Sequence, residues 1–217
     1  MKNIYIYGDS FTGKTVFANQ FPNVFFLSTD GNAKYLTDNF VEVTNREELA
    51  KALQAFYSRK YDTLVFDRVD EIYDIIANGI FEKFNVDFAF EMKGFGEGYT
   101  RPRKSFKDMF SMLEKKLPKD FTVIWLSTEK FTESVSHLNG ATIKTFIPTL
   151  DKGTSQFLQG KSFITMRSKK EKTIKGIQYV LSCGGDENEL SGSRVPIKNK
   201  KIINSYEAFK ENIGGQL

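Results

Sequence analysis

The stretch that decides the fold is GDSFTGKT at residues 8–15, which directly follows the apolar run NIYIY at residues 3–7. It has the spacing Gly-x-x-x-x-Gly-Lys-Thr and lies where a strand would pass into a helix. Glycines let such a loop curl so that its backbone N–H groups point at phosphate oxygens, and the helix N-terminus adds positive potential. The stretch therefore predicts a loop that binds the phosphates of a nucleotide.

Side chains of this loop have distinct predicted roles. Lys14 is expected to reach the β- and γ-phosphates of ATP, and the Thr15 hydroxyl is expected to bind Mg²⁺. The backbone of the loop and the first turn of the helix would supply the other contacts. The predicted nucleotide-binding residues are Gly8, Asp9, Ser10, Phe11, Thr12, Gly13, Lys14, Thr15 and Val16.

A second acidic element is DTLVFD at residues 62–67, an apolar strand that ends on Asp67. A carboxylate in this position, following a phosphate-binding loop, is typical of the residue that holds the Mg²⁺ shell through water. A guanine-reading Asn-Lys-x-Asp motif is missing at residues 199–202, which read NKKI, so a GTPase is disfavoured. Arg68, rather than glutamate, follows Asp67, which argues against an AAA+ machine, and no arginine-bearing kinase lid is evident.

A RecA-like core remains, in which the carboxylate that activates water lies on a neighbouring strand. The strand VFFLS at residues 24–28 runs into Asp30, which is the candidate for that role. An ordinary turn before Gly31 is an equally good explanation of Asp30.

Fully apolar strands separated by helical patterns predict an α/β fold with a mainly parallel sheet covered by helices on both faces. Strands are predicted at 3–7, 24–28, 39–43, 62–66 and 121–127, and helices at 46–60 and 70–84. From about residue 130 the pattern changes to β-hairpins, at 132–146 around Asn139-Gly140 and at 163–183, before a last helix at 205–213. We interpret residues 1–217 as one domain with a β-rich, basic C-terminal part.

Composition limits the function. One cysteine, Cys183, excludes an internal disulfide, and one histidine, His137, excludes a histidine-rich metal site. No apolar run is long enough to span a bilayer, and no signal peptide is evident, so a cytoplasmic protein is expected. The net charge is +4, but residues 161–201 hold ten basic and four acidic residues. This imbalance indicates a polyanion surface or a solvated lysine-rich hairpin.

Five segments together resemble the phage AAA-type nucleotide-binding proteins, which are related to Sak-type RecA-like recombinases. They are GDSFTGKT, LSTDG, TLVFD, KGFGEGY and LSTEK, and the resemblance spans roughly residues 2–194. It implies a Mg²⁺-dependent ATPase of phage DNA replication or recombination that acts on single-stranded DNA in the host cytoplasm. Two positions depart from the family pattern. Asp30 stands where relatives often have Glu, and Thr128 is the candidate γ-phosphate sensor where relatives often have a Thr-Ala-His motif.

In RecA-like folds, DNA-binding loops follow two elements. One is the helix after the strand that ends on the Mg²⁺-binding aspartate, here Asp67, and the other is the strand that carries the γ-phosphate sensor. The segment MKGFGEGYTRPRKSFK at residues 92–107 combines glycines, aromatic rings and basic side chains, as a sequence-tolerant single-strand site requires. A flexible loop leading into an amphipathic helix explains the same pattern. The predicted DNA-binding residues are Tyr99, Arg101, Arg103 and Lys104.

RecA-type ATPases often complete their site with a basic finger from a neighbouring subunit, so a homo-oligomer is expected. Arg194, Lys130 and Arg167 are the candidates, and each is equally explained as a surface charge. The leading hypothesis is an ATPase that promotes annealing beside a single-strand-binding protein. A nucleotide-gated adaptor that recruits a helicase or a single-strand-binding protein is the alternative, and a small-molecule kinase is a third.

Overall fold

A mainly parallel β-sheet forms the centre of the protein in the computed structural model, which describes residues 1–58, 60–135, 140–174, 176–185 and 188–215. The strands of the described residues are β1 Lys2–Gly8, β2 Val24–Ser28, β3 Phe40–Glu42, β4 Thr63–Asp67, β5 Thr122–Ser127, β6 Glu129–Val135, β7 Thr142–Pro148, β8 Ile164–Thr173, β9 Gly176–Ser182, β10 Gly192–Ser193 and β11 Lys201–Ile203. The helices are α1 Lys14–Ala18, α2 Arg46–Tyr57, α3 Val69–Phe84, α4 Glu97–Lys116, α5 Lys152–Lys161 and α6 Tyr206–Asn212, with short 3₁₀ turns at Asn32–Tyr35 and Ala89–Glu91.

The strand order in the sheet is β11-β9-β8-β1-β5-β4-β2-β3, with β10 also paired to β8. The strands from β8 to β3 in that order run parallel, whereas β9, β10 and β11 are antiparallel additions at one side. Strand β5 therefore lies between β1, which carries the phosphate loop, and β4, which ends on Asp67. The hairpin β6–β7 forms a sheet of its own. The fold class predicted from the sequence, an α/β fold with a mainly parallel sheet flanked by helices and with C-terminal β-hairpins, is confirmed.

Alternation along each parallel strand sends successive side chains to opposite faces of the sheet, and both faces are buried. On one face, Trp125 stacks on Phe66 with ring centroids 4.3 Å apart, and Phe110 of α4 stacks on Trp125 at 5.6 Å. Helices α2, α3, α4 and α5 cover this face. Helices α1 and α6 cover the other face, where Phe17 meets Phe209 edge to face.

Differences from the sequence prediction are confined to the segments after α3. The glycine-rich segment 92–107 becomes helical at Glu97, earlier than expected, so most of it is the first half of α4. Gly98 is required there because an added Cβ would lie 1.9 Å from the Ala89 carbonyl oxygen. Helix α5 and strand β11 were not predicted. The tip of the first hairpin, with His137 and Asn139, lies outside the described residues.

Arg103 ties α4 to the start of α5. Its guanidinium donates two hydrogen bonds of 2.8 Å to Asp151, whose carboxylate also accepts from the Thr154 backbone N–H and so caps α5. The pKa of Asp151 is lowered, because these hydrogen bonds outweigh the effect of its partial burial. The apolar pattern of the sequence did not predict helix α5. The helix is held in place mainly by this cap and by the buried Leu158.

We expect Phe110→Ala to destabilise the fold by about 3–5 kcal/mol, because it removes a fully buried ring from the stack on Trp125 and leaves a cavity. The control is Phe95→Ala, which removes a fully exposed ring and should change stability by less than about 0.5 kcal/mol. Urea unfolding followed by far-UV circular dichroism measures both. Equal effects of the two substitutions would contradict this account of the core.

Candidate phosphate-binding site

The loop between β1 and α1 has the backbone curl that phosphate binding requires. Gly13 has φ 87° and precedes the first residue of α1, and Phe11 has φ 60°, in the left-handed region that is unusual for a residue with a side chain. Gly8 lies so close to β8 that an added Cβ would be 2.2 Å from the Ser168 carbonyl oxygen. Gly8 is therefore required because a side chain would not fit there, and Gly13 is required because of its positive φ.

Lys14 is buried, and its ammonium group lies inside the loop. It donates hydrogen bonds to the carbonyl oxygens of Gly8 at 2.7 Å and Asp9 at 2.8 Å. Burial lowers the pKa of Lys14, while the negative charges of Asp67 and Asp70 oppose the shift. A cation held in this way by backbone oxygens is placed to exchange them for phosphate oxygens.

Thr15 and Asp67 meet across the strand that separates β1 from β4. The Thr15 hydroxyl donates to Asp67 Oδ2 at 2.8 Å, so the two residues predicted to bind metal are in direct contact. Burial raises the pKa of Asp67 to about 6. The Thr15 hydrogen bond opposes this shift, and the negative charge of Asp30 adds to it.

Asp30 lies near Asp67, but its carboxylate is used by its own turn. Both of its oxygens accept hydrogen bonds from Asn32, from the backbone N–H at 3.0 Å and from the side-chain amide at 2.7 Å. The Ser28 hydroxyl donates to it as well, at 3.2 Å. The turn explanation that the sequence left open thus has direct structural support.

Thr128, the candidate γ-phosphate sensor, follows β5 and donates its hydroxyl to Asp70 Oδ2 at 2.9 Å. Thr149, at the end of β7, donates to the same oxygen at 3.1 Å, and its hydroxyl lies 2.6 Å from that of Thr128. Asp70 is buried and is one of the carboxylates that act electrostatically on Lys14. Sequence reasoning missed Asp70 and Thr149, although the spacing of Asp70 from Asp67 could have drawn attention to it.

A further polar group lies at the ends of β2 and β4. Thr29 donates its hydroxyl to Glu71 in the first turn of α3, and Glu71 also forms an ion pair of 2.7 Å with Arg68. Arg68 reaches Asp70 as well, at 3.5 Å. Neither Thr29 nor Glu71 was singled out in the sequence as a site residue: Thr29 lies in the LSTDG segment beside Asp30, and Glu71 belongs to no motif.

The C-terminal strands hold the phosphate loop from its other side. Ser168 of β8 donates its hydroxyl to the Thr12 carbonyl oxygen at 2.8 Å. The Asn204 side-chain amide, after β11, donates to the carbonyl oxygens of Thr12 at 3.3 Å and Gly13 at 3.1 Å. These three hydrogen bonds attach the phosphate loop to β8 and to the segment after β11.

The three candidates for a basic finger lie in different places. Arg194 donates to the carbonyl oxygens of Gly160 at 3.0 Å and Ser162 at 3.1 Å, and so caps the end of α5. Lys130 is exposed and reaches the Thr149 carbonyl oxygen at 3.4 Å.

Arg167 is half-buried in an ionic cluster. It forms a two-bond ion pair with Glu129 at 2.8 and 3.0 Å, lies 3.5 Å from Glu189, and sits over the ring of Phe146. Its side chain therefore fastens the base of the β6–β7 hairpin to β8.

The predicted DNA-binding residues are not equivalent in the structure. Arg103 is committed to Asp151, and Arg101 pairs with Glu97 and covers the ring of Phe84. Lys104 is exposed, and Tyr99 is 53% exposed. Three neighbouring rings that the sequence did not single out as a group are more exposed: Phe88 56%, Phe90 75% and Phe95 108%.

The residues present fit ATP and Mg²⁺. Thr15 and Asp67 offer a hydroxyl and a carboxylate, which are the hard oxygen ligands that Mg²⁺ prefers. The described residues contain no cluster of three or more His, Cys, Asp or Glu that could hold a metal by itself. Mg²⁺ is usually bound by one or two protein groups together with phosphates and water, and Thr15 and Asp67 could be those groups.

The chain was compared with known protein families, curated proteins and solved structures. The model of a family described as AAA domain matches residues 1–195. Similar solved structures include the flagellar accessory protein FlaH from Methanocaldococcus jannaschii, with 14% identity, TM-score 0.42, and 83% of this chain and 76% of that chain covered. A KaiC-like protein from Pyrococcus horikoshii OT3 has 13% identity, TM-score 0.45 and the same two coverages. No curated protein matches the sequence. Among the described helices, none combines the length and apolar character needed to cross a membrane.

We expect Asp67→Asn to stabilise the nucleotide-free protein at pH 7 by about 3 kcal/mol. The folded pKa of about 6 lies above the ordinary value of 3.8, so the folded state binds more protons than the unfolded state between these values. The free energy of unfolding of the wild type therefore falls as pH rises from about 4 to 6, and Asn removes this loss. Urea unfolding at pH 4, 5, 6 and 7 measures the difference, which should vanish at pH 4. A difference that is independent of pH would contradict the burial of an ionised Asp67.

Proposed function

We propose that this chain, which belongs to the AAA domain family, is an ATPase. It binds ATP with Mg²⁺ and hydrolyses it in response to single-stranded DNA. The observation that carries the ATPase part is the contact of Thr15 with Asp67 beside the buried ammonium group of Lys14. Lys14 and Thr15 begin α1 after the loop that follows β1, Asp67 ends β4, and β5 lies between these two strands. A ligand shared at the sheet edge would account for their convergence.

Each of these residues has a definite role in the proposed reaction. Lys14 would bind the β- and γ-phosphate oxygens and stabilise the negative charge that develops as the terminal phosphate leaves. Thr15 and Asp67 would hold Mg²⁺, which neutralises phosphate charge when it is bound. The curled backbone of residues 8–13 would orient the phosphate chain through its N–H groups.

We expect Lys14→Ala to lower kcat/KM for ATP by at least about 100-fold, because it removes the cation that contacts the transferred phosphate. Lys51→Ala, which removes an exposed lysine from α2, is the matched control and should leave kcat/KM unchanged. Release of phosphate measures turnover, and binding of a fluorescent ATP analogue measures affinity. Equal activity of Lys14→Ala and wild type would contradict the proposed site.

The DNA part of the proposal is supported by the surface formed by Phe88, Phe90, Phe95 and Tyr99, with Lys104 nearby in the sequence of α4. Exposed rings offer faces on which bases stack without regard to sequence, and basic side chains bind the phosphates. Phe88 and Phe90 lie parallel, with centroids 5.5 Å apart and planes 5° apart. This surface lies near the start of α4. The same helix is linked to the phosphate-binding site through Arg103, which binds Asp151, two residues from Thr149.

We expect Phe95→Ala to weaken binding of an oligothymidine by about 5- to 100-fold, the effect of losing one stacked base. Lys104→Gln should reduce the slope of log K against log salt by about 0.7, because one phosphate contact is lost. Lys210→Gln, on α6 at the opposite face of the sheet, should change neither. Fluorescence anisotropy at several salt concentrations measures both quantities.

The outcomes separate two functions. Stimulation of ATP turnover by the oligonucleotide supports the DNA-dependent ATPase. Binding of ATP that depends on Lys14, without turnover in the presence or absence of DNA, would contradict it and would favour the nucleotide-gated adaptor.

A further inference from the structure

Glu71 lies in a hydrogen-bonded group next to the proposed metal ligand. Its carboxylate accepts from the Thr29 hydroxyl on one oxygen and from Arg68 Nη1 at 2.7 Å on the other. Thr29 in turn donates its backbone N–H to the Asp67 carbonyl oxygen at 2.7 Å, and the Arg68 N–H donates to Thr29 Oγ1 at 3.2 Å. Glu71 is thereby connected to the backbone of Asp67 through Thr29.

The position of Glu71 is that of a carboxylate between the ends of β2 and β4. Thr29 follows β2, Arg68 follows β4, and the carboxylate lies between them, although it comes from helix α3 and not from a strand. A glutamate in the first turn of a helix is also favoured by the positive N-terminal end of the helix dipole. The site therefore has a carboxylate where the sequence predicted one, but a different residue supplies it.

Asp30 and Asp70, two other carboxylates at this edge, accept more hydrogen bonds than Glu71 does. Asp30 is held by Asn32 and Ser28 in its own turn. Asp70 is buried, with its oxygens taken by Thr128 and Thr149. Water can reach both Glu71, whose side chain is 35% exposed, and Asp30, which is exposed. Each Glu71 oxygen accepts a single hydrogen bond, from Thr29 or Arg68 beside Asp67, whereas Asp30 accepts three within its own turn.

We propose that Glu71, and not Asp30, is the carboxylate that activates the attacking water. This inference rests on the proposed ATPase function. The water oxygen forms a bond to the γ-phosphorus while the bond from that phosphorus to the bridging oxygen breaks, and its electron pair stays on ADP. The water proton passes to the Glu71 carboxylate, so that ADP and inorganic phosphate are the products. Thr29 and Arg68 are positioning residues that aim the carboxylate.

The test is single-turnover hydrolysis of ATP with protein in excess, together with binding of the fluorescent ATP analogue. We expect Glu71→Gln to lower the rate by about 100-fold or more while the Kd for the analogue changes by less than about twofold. Asp30→Asn should lower the rate by less than about threefold. Glu82→Gln, an exposed position on the same helix, is the matched control and should behave as wild type. Thermal unfolding of each variant verifies that it is folded.

Thr29 provides a second, independent measurement. Thr29→Val should lower the rate without changing the Kd, and Thr29→Ser, which keeps the hydroxyl, should restore the rate. A purely structural role of Thr29 would instead lower the melting temperature of the valine variant in step with its rate.

The results distinguish this inference from the function on which it rests. A Glu71→Gln protein that hydrolyses ATP at the wild-type rate, while Lys14→Ala does not, overturns the role of Glu71 and leaves the ATPase in place. The same holds if Asp30→Asn abolishes turnover and Glu71→Gln does not. Absence of turnover by the wild type overturns both.

Discussion

The burial of both faces of the parallel sheet is the constraint on which the rest of the structure depends. The central residues of strands β1, β4 and β5 are apolar and buried, because helices cover these strands on each side. Polar side chains can then lie only where the strands end. Because these strands are parallel, their carboxyl ends meet at one edge, and the phosphate loop, Asp67 and Thr128 are brought together there. The chemistry of the protein is concentrated at this edge for a packing reason.

This constraint also explains how much the sequence could predict. The apolar runs at 3–7, 24–28, 62–66 and 121–127 have the short length and continuous apolar character of buried strands, and the loop at 8–15 has a spacing set by backbone geometry. Both signals are local in the chain, so fold class and the positions of Lys14, Thr15 and Asp67 could be predicted. The roles of these residues remain predictions.

The remaining features depend on contacts between distant segments. Asp30 looked available because its turn partner, Asn32, is an ordinary loop residue in the sequence. Glu71 looked like a surface residue of α3, since its partner Thr29 is 42 residues away. Arg103 looked like a phosphate ligand, and only the fold shows that Asp151 binds it. A side chain's partner across the fold cannot be read from its own neighbourhood, and this is why candidate residues could be listed but not ranked.

The attachment of the β6–β7 hairpin has a mechanical consequence. Both strands join the core at their bases, where Thr128 and Thr149 share one carboxylate oxygen of Asp70. Seven residues of each strand extend from that point, or roughly 23 Å at about 3.3 Å per residue. The hairpin therefore extends a long way from its point of attachment, which is near the phosphate loop. Tilting its base by about 10° would carry Val135 and Thr142 through about 4 Å, given that length. A small rotation at the nucleotide edge would thus become a displacement of several ångströms at the far end of the described strands.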